Sequence, residues 1–171
     1  MQALSSVEGG YDLLAPKLDH TPFRTPDGVL DATEGAQRPL GPFGRGLDVC
    51  CGTGAGMRVL ESVCQGPIMG VDFSAGMLAQ ARPAYPDAGW VRADARALPF
   101  AGGFDLAMRV RNALWRPKFV MYYRTCALSA VRHDLTASGF TVTTVPLADL
   151  GRREDGNPRY GLVLARTASA P

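Results

Sequence analysis

The sequence predicts an α/β fold built on a doubly wound, mostly parallel sheet. Three observations carry that expectation. Short apolar runs alternate with helical patterns between residues 46 and 110, in the order βαβαβ. The first run, Leu47-Asp48-Val49-Cys50, ends in a cluster of small residues, Cys51-Gly52-Thr53-Gly54-Ala55-Gly56. The second, Ile68-Met69-Gly70-Val71-Asp72, ends in an acid. Buried parallel strands read in this way, as short apolar runs without polar alternation.

Each element has its own signal. Residues 5–20 read as a short N-terminal helix whose later half is disfavoured by Pro16. Thr25-Pro26-Asp27 reads as a helix start, with Thr25 as the cap and Pro26 at the first position, and the helix should run to about Glu34 or Gly35. The turn-rich stretch 38–46 leads into the first strand. Residues 55–65 place Met57, Val59, Leu60 and Val63 at helical spacing. Ser74 caps a helix with Met77, Leu78 and Ala81 on one face. Residues 90–92 and 104–110 are the third and fourth strands. Residues 127–138 look helical and end at Gly139. Residues 141–147 and 160–167 look like an antiparallel pair at one edge, joined by the polar loop GRREDGNPR.

Composition excludes several classes. A chain of 171 residues with 46% hydrophobic and 20% charged residues fits one globular domain. A net charge of +2 argues against a dedicated nucleic-acid binder. No apolar run reaches the ~18 residues of a membrane span. The N-terminus lacks the basic and apolar regions of a secretion signal. Four cysteines, two of them adjacent, make no disulfide framework, and with His20 and His133 they have no zinc spacing. Reduced thiols, a cytoplasmic setting and no metal are expected.

The segment 47–56 carries the chemistry. A strand that turns through glycines into a helix sets backbone N–H groups beside a ligand, and Gly52 and Gly54 allow positive φ and a close approach. A dinucleotide site wants G-x-G-x-x-G, but the glycines fall at 52, 54 and 56, with Met57 at the third dinucleotide position. Asp48 would repel a pyrophosphate and attract a cationic amino-acid ligand. Asp72 follows Gly52 by 20 residues, the spacing of a ribose-binding acid, although taken alone it reads equally as a helix cap.

At these residues the chain resembles the class I S-adenosylmethionine-dependent methyltransferases of the small-molecule type, whose fold is Rossmann-like. DVCCGTGAG is similar to their first motif, with Cys50 where Gly is usual. GVDFSAGMLAQAR looks like the second strand and helix, and VRADARALPFAGGFDLA like the third motif. The resemblance implies an S-adenosyl-L-methionine shell of Asp48, Cys51, Gly52, Gly54, Asp72 and Phe73, completed by Met77, Asp94 and Ala95. It gives Asp72 the ribose hydroxyls, Phe73 the adenine face, and Asp94 the adenine amine, with a backbone contact from Ala95. It implies a single domain: an N-terminal helical lid at 1–40, a cofactor half at 46–110, and a late helix and strand pair at 118–168. Methyl transfer to a small-molecule acceptor follows, with no catalytic residue assigned.

The chain also departs from the family pattern. Only nine residues, 111–119, separate the fourth strand from a region similar to the family's late helix, and no Leu-Arg-Pro-Gly-Gly turn is present. The usual order 3-2-1-4-5-7-6 should therefore lack strand five, with 118–138 mainly helical. Two alternatives remain: a protein of this kind that binds the cofactor without turnover, and a nucleotide-dependent oxidoreductase. Tyr11 could cover the ligand or pack the first helix. The adjacent cysteines read as packing residues, and both histidines as solvated. No acid lies between Asp105 and Asp134, while Arg109, Arg111, Arg116, Lys118, Arg124 and Arg132 alternate with aromatic residues. That pattern suits a solvated face, an acidic acceptor or, through 109–124, a membrane surface; no nucleic acid is expected.

Overall fold

The computed structural model describes residues 7–109, 133, 136–137, 140–146 and 161–167. The chain opens with α1 (Val7–Leu14), which passes into a 3₁₀ segment, Ala15–His20, as Pro16 disfavours a continued α-helix. Helix α2 (Asp27–Gln37) starts one residue later than expected: Pro26, not Thr25, is the cap residue, and it offers no side-chain cap. It also runs past Gly35 to Gln37, because Leu30, Thr33 and Gln37 bury one continuous face.

Four strands then form a parallel sheet: β1 (Gly46–Val49), β2 (Ile68–Asp72), β3 (Gly89–Arg92) and β4 (Leu106–Met108). Their order is β3-β2-β1-β4. Helices α3 (Met57–Val63) and α4 (Ala75–Ala81) make the crossovers, and α4 begins on the expected Ser74 cap, whose hydroxyl accepts from the Met77 N–H at 3.1 Å. The chain leaves β1 for β2 and β3 on one side, then returns to place β4 on the other. That makes the gap between β1 and β4 the topological switch point, where such sheets bind ligands at the strands' carboxyl ends.

The core lies between the sheet and the helices α2 and α3. Met57, Val59 and Leu60 are fully buried and pack with Leu30, Phe43, Leu106 and Met108. Truncating Leu60 to alanine would cost on the order of 2–5 kcal/mol.

Strands β5 (Phe140–Pro146) and β6 (Gly161–Thr167) pair antiparallel, with Val142 opposite Ala165. The pair is a ladder of its own: among the described residues no strand pairing joins it to the parallel sheet, although β6 runs alongside β4. Strand β4 is also shorter than the expected 104–110, and α3 shorter than 55–65. The segment 118–123, the expected loss of strand five and the loop 151–159 lie outside the described residues. No described helix is long and apolar enough to cross a membrane.

Candidate functional site

The carboxyl ends of β1, β2 and β4 come together at the switch point, where sheets of this topology form a ligand crevice, and the β1–α3 turn follows β1 there. Backbone φ is positive at Cys50 (61°), Gly52 (55°) and Gly54 (91°). The two glycines adopt this region freely; Cys50 does so against the clash of its own Cβ, which explains why glycine suits that position. The turn closes with the Gly54 N–H on the Cys51 carbonyl at 2.9 Å, and α3 starts from the Gly54 carbonyl. A side chain at Gly52 would find open space, with only Leu18 at 4.0 Å. Gly56 is needed for another reason: a Cβ there would overlap the Asp48 carboxylate and sit 2.7 Å from Met108 Cε.

Asp72 ties two loops together. Its Oδ2 accepts from the Gly52 N–H and its Oδ1 from the Ser74 N–H, both at 2.9 Å. Each oxygen keeps a further lone pair for a ligand hydroxyl. Burial pushes its pKa up, against the pull of those N–H groups and of Arg109. Asp48 is buried under the turn, and among the described residues no hydrogen bond or ion pair reaches its carboxylate. Desolvation first, and the charge of Asp72 second, raise its pKa to about 8. Two carboxyls sharing a sparsely solvated crevice favour a cationic ligand and disfavour a pyrophosphate.

The other expected residues fall around this pair. Cys51 is buried, its N–H on the Val71 carbonyl at 3.0 Å, and burial raises its thiol pKa strongly. That environment suits packing and disfavours a nucleophile. Phe73 leaves the crevice wall half-buried and meets Tyr11 edge-on, with centroids 5.3 Å apart. Tyr11 thus packs against the residue after Asp72. Asp94 lies just beyond β3 at the same edge, exposed, and both of its oxygens accept from Arg96 Nε at 2.9 Å; Ala95 follows, half-buried. Met77 is 1% exposed, on the buried face of α4. Helical spacing marks a buried face without saying what lies beneath it. Burial raises the Cys50 thiol pKa; Arg109 pulls it down, while Asp72, Asp48 and Asp94 push it up.

Sequence reasoning missed the residues that hold the N-terminal segment over these loops. Asp12 Oδ1 accepts from Ser74 Oγ at 2.5 Å and from the Gly76 N–H at 2.8 Å. Asp19 accepts from Thr53 Oγ1 at 2.7 Å, and Glu8 pairs with Arg92. These partners stand 34 to 84 residues apart, beyond the reach of any local pattern. His20 and His133 are exposed, as expected. Among the described residues no cluster of His, Cys, Asp or Glu could hold a metal.

Comparison with known proteins agrees with this geometry. Residues 47–131 match the model of a methyltransferase domain. The chain is 40% identical over 81 residues to a 2-phytyl-1,4-naphthoquinone methyltransferase of Thermosynechococcus vestitus, an alignment covering 42% of this chain and 36% of that protein. It is 37% identical over 83 residues to a trans-aconitate 2-methyltransferase of Azoarcus sp., covering 48% of this chain and 33% of the other. The matched region thus spans about a third of the length of these curated relatives. In fold, the crystal structure of a TehB-like SAM-dependent methyltransferase from Corynebacterium glutamicum superposes with a TM-score of 0.60 at 17% identity, over 95% of this chain and 98% of that one. Residues 47–131 thus match a methyltransferase domain, and the fold is shared with the TehB-like structure.

Proposed function

We propose that this chain is a class I S-adenosylmethionine-dependent methyltransferase that binds its cofactor in the crevice between β1 and β4 and transfers the methyl group to a small-molecule acceptor. One observation carries the reading: two buried acids, Asp48 and Asp72, bracket a glycine turn at the switch point of a parallel sheet. The open space above Gly52 and the spare lone pairs of Asp72 fit a ribose. The uncompensated Asp48 fits an ammonium group. The fully buried Met57, where a dinucleotide site would want glycine, disfavours the oxidoreductase alternative.

When bound, the cofactor supplies a methyl group on a sulfonium, activated for in-line displacement. The chain's residues bind and align. Asp72 accepts from the ribose hydroxyls while Gly52 and Ser74 hold its carboxylate still. Asp48 faces the amino group. Phe73, braced by Tyr11, lies against the adenine, and Asp94 with Ala95 reaches its edge. Proximity and orientation then supply most of the acceleration. The N-terminal segment, pinned through Asp12 and Asp19, acts as the lid.

The two curated relatives are named for a quinone and for an organic acid, which supports small-molecule acceptors as the class. The test is calorimetry with S-adenosylmethionine, followed by methyl transfer to a panel of hydroxyl, amine and carboxylate acceptors. Binding with transfer supports the proposal. Binding without transfer favours a cofactor binder that does not turn over. No binding, with enhanced NADPH fluorescence, would overturn it in favour of the oxidoreductase.

A further inference from the structure

Arg109 has no role in the site as built so far. It is the first residue after β4, and the last paired residue before it, Met108, stands opposite Asp48. Continued by one residue, that register sets Arg109 beside the Val49–Cys50 step, on the β4 side of the switch-point crevice. It is exposed, and among the described residues no hydrogen bond or ion pair engages its guanidinium. Its charge nonetheless reaches inward, pulling down both the Cys50 thiol and the Asp72 carboxyl. The other side of the crevice is acidic, with Asp48, Asp72 and Asp94 at the ends of β1, β2 and β3. A zwitterionic ligand, or a cationic one beside an anionic one, would match this division of charge. Arginine offers a planar fork that suits a carboxylate held by two parallel bonds.

We infer that Arg109 is the carboxylate-binding residue of this crevice. Two sources share that chemistry: the cofactor's own amino-acid carboxylate and a carboxylate on the acceptor. The inference takes its ligand from the proposed function, and its test separates the two.

The test compares the full chain with Arg109→Gln and Arg109→Lys. Calorimetry would use S-adenosylhomocysteine and 5′-methylthioadenosine, a nucleoside that lacks the carboxylate. Tricarballylate and benzoate would be titrated into protein both free and saturated with S-adenosylhomocysteine. The expected result is about a tenfold or greater loss for one carboxylate ligand in Arg109→Gln, methylthioadenosine binding unchanged, and partial recovery in Arg109→Lys. A loss confined to S-adenosylhomocysteine identifies the cofactor as the source. A loss confined to tricarballylate or benzoate identifies the acceptor. Equal affinities for every carboxylate in wild type and Arg109→Gln would overturn the inference. So would an equal loss of methylthioadenosine, which marks a structural role. If the wild type binds neither nucleoside, the proposed function fails, and the titration of the free chain with tricarballylate still decides Arg109.

Discussion

The two sides of the crevice are built on different principles. On the side of β1, β2 and β3, Asp72 is fixed by the main-chain N–H groups of Gly52 and Ser74, and Asp12 of the N-terminal helix by Gly76 and Ser74. On the side of β4, a single guanidinium stands at a strand end with nothing among the described residues holding it. The fixed side suits a ligand part that never varies, here a nucleoside. The side held by one long side chain suits a part that differs from one relative to the next. Rigid geometry and adaptable charge are thus divided between the halves of one sheet.

The strongest way to break the fixed side is at Asp72. Asp72→Ala removes two main-chain anchors and, under the proposed function, two ribose bonds. Charge-assisted bonds contribute on the order of 1.5–3 kcal/mol each, so S-adenosylhomocysteine affinity should fall at least about tenfold. Calorimetry on the folded variant checks this, and an unchanged dissociation constant refutes the assignment.

Asp48 sharpens the comparison through pH. Its folded pKa is raised from 3.8 to about 8, so the folded state keeps a proton that the unfolded chain releases. Its neutral form therefore supports folding fully below pH 4, and that support is lost as pH rises toward 8, by at most ~1.4 kcal/mol per pH unit. Denaturant midpoints should fall between pH 5 and 8 in the wild type and less steeply in Asp48→Asn. A cationic ligand should also expel this proton. Binding enthalpy near pH 7 should then depend on the buffer's ionisation enthalpy in the wild type and not in the variant. Parallel slopes in both proteins would place the titration elsewhere.

Loosening the N-terminal segment should have a smaller, local effect. Asp12→Ala leaves the Gly76 N–H and the Ser74 hydroxyl without their partner. Faster amide exchange at Gly76, with exchange in β1 unchanged, is the expected signature; uniform acceleration would mean that the whole fold had weakened. The smallest effect is expected at Cys50. Cys50→Gly removes a Cβ from a φ of 61° at some cost in chain entropy, for a net gain of about 0.5–1 kcal/mol. A lower melting temperature would show that the thiol's packing outweighs the strain.

Much of the fixed side was legible in the sequence, because its signals are local. A short apolar run ending in Asp72, followed by Ser74 and a helical face, describes β2 and α4 almost residue for residue. The glycine turn and its acid are equally compact in sequence. The anchors were not legible, since Asp12 meets its partners across 62 and 64 residues. Helical spacing did place Met77 on the buried face of α4, but it could not name the neighbours there. The place of Arg109 depends on the register of β4 against β1, which only the folded sheet defines.

The shared carboxylate of Asp72 has a mechanical consequence. The turn after β1 and the turn after β2 are separate loops, free in principle to fluctuate on their own. With one oxygen on Gly52 and the other on Ser74, a side chain on a rigid strand end couples their motions. Amide exchange at these two positions should then open as one event with a common rate, so that whatever slows one slows the other. A ligand that touches only the first turn would still quiet the second, and the two loops would respond as one part.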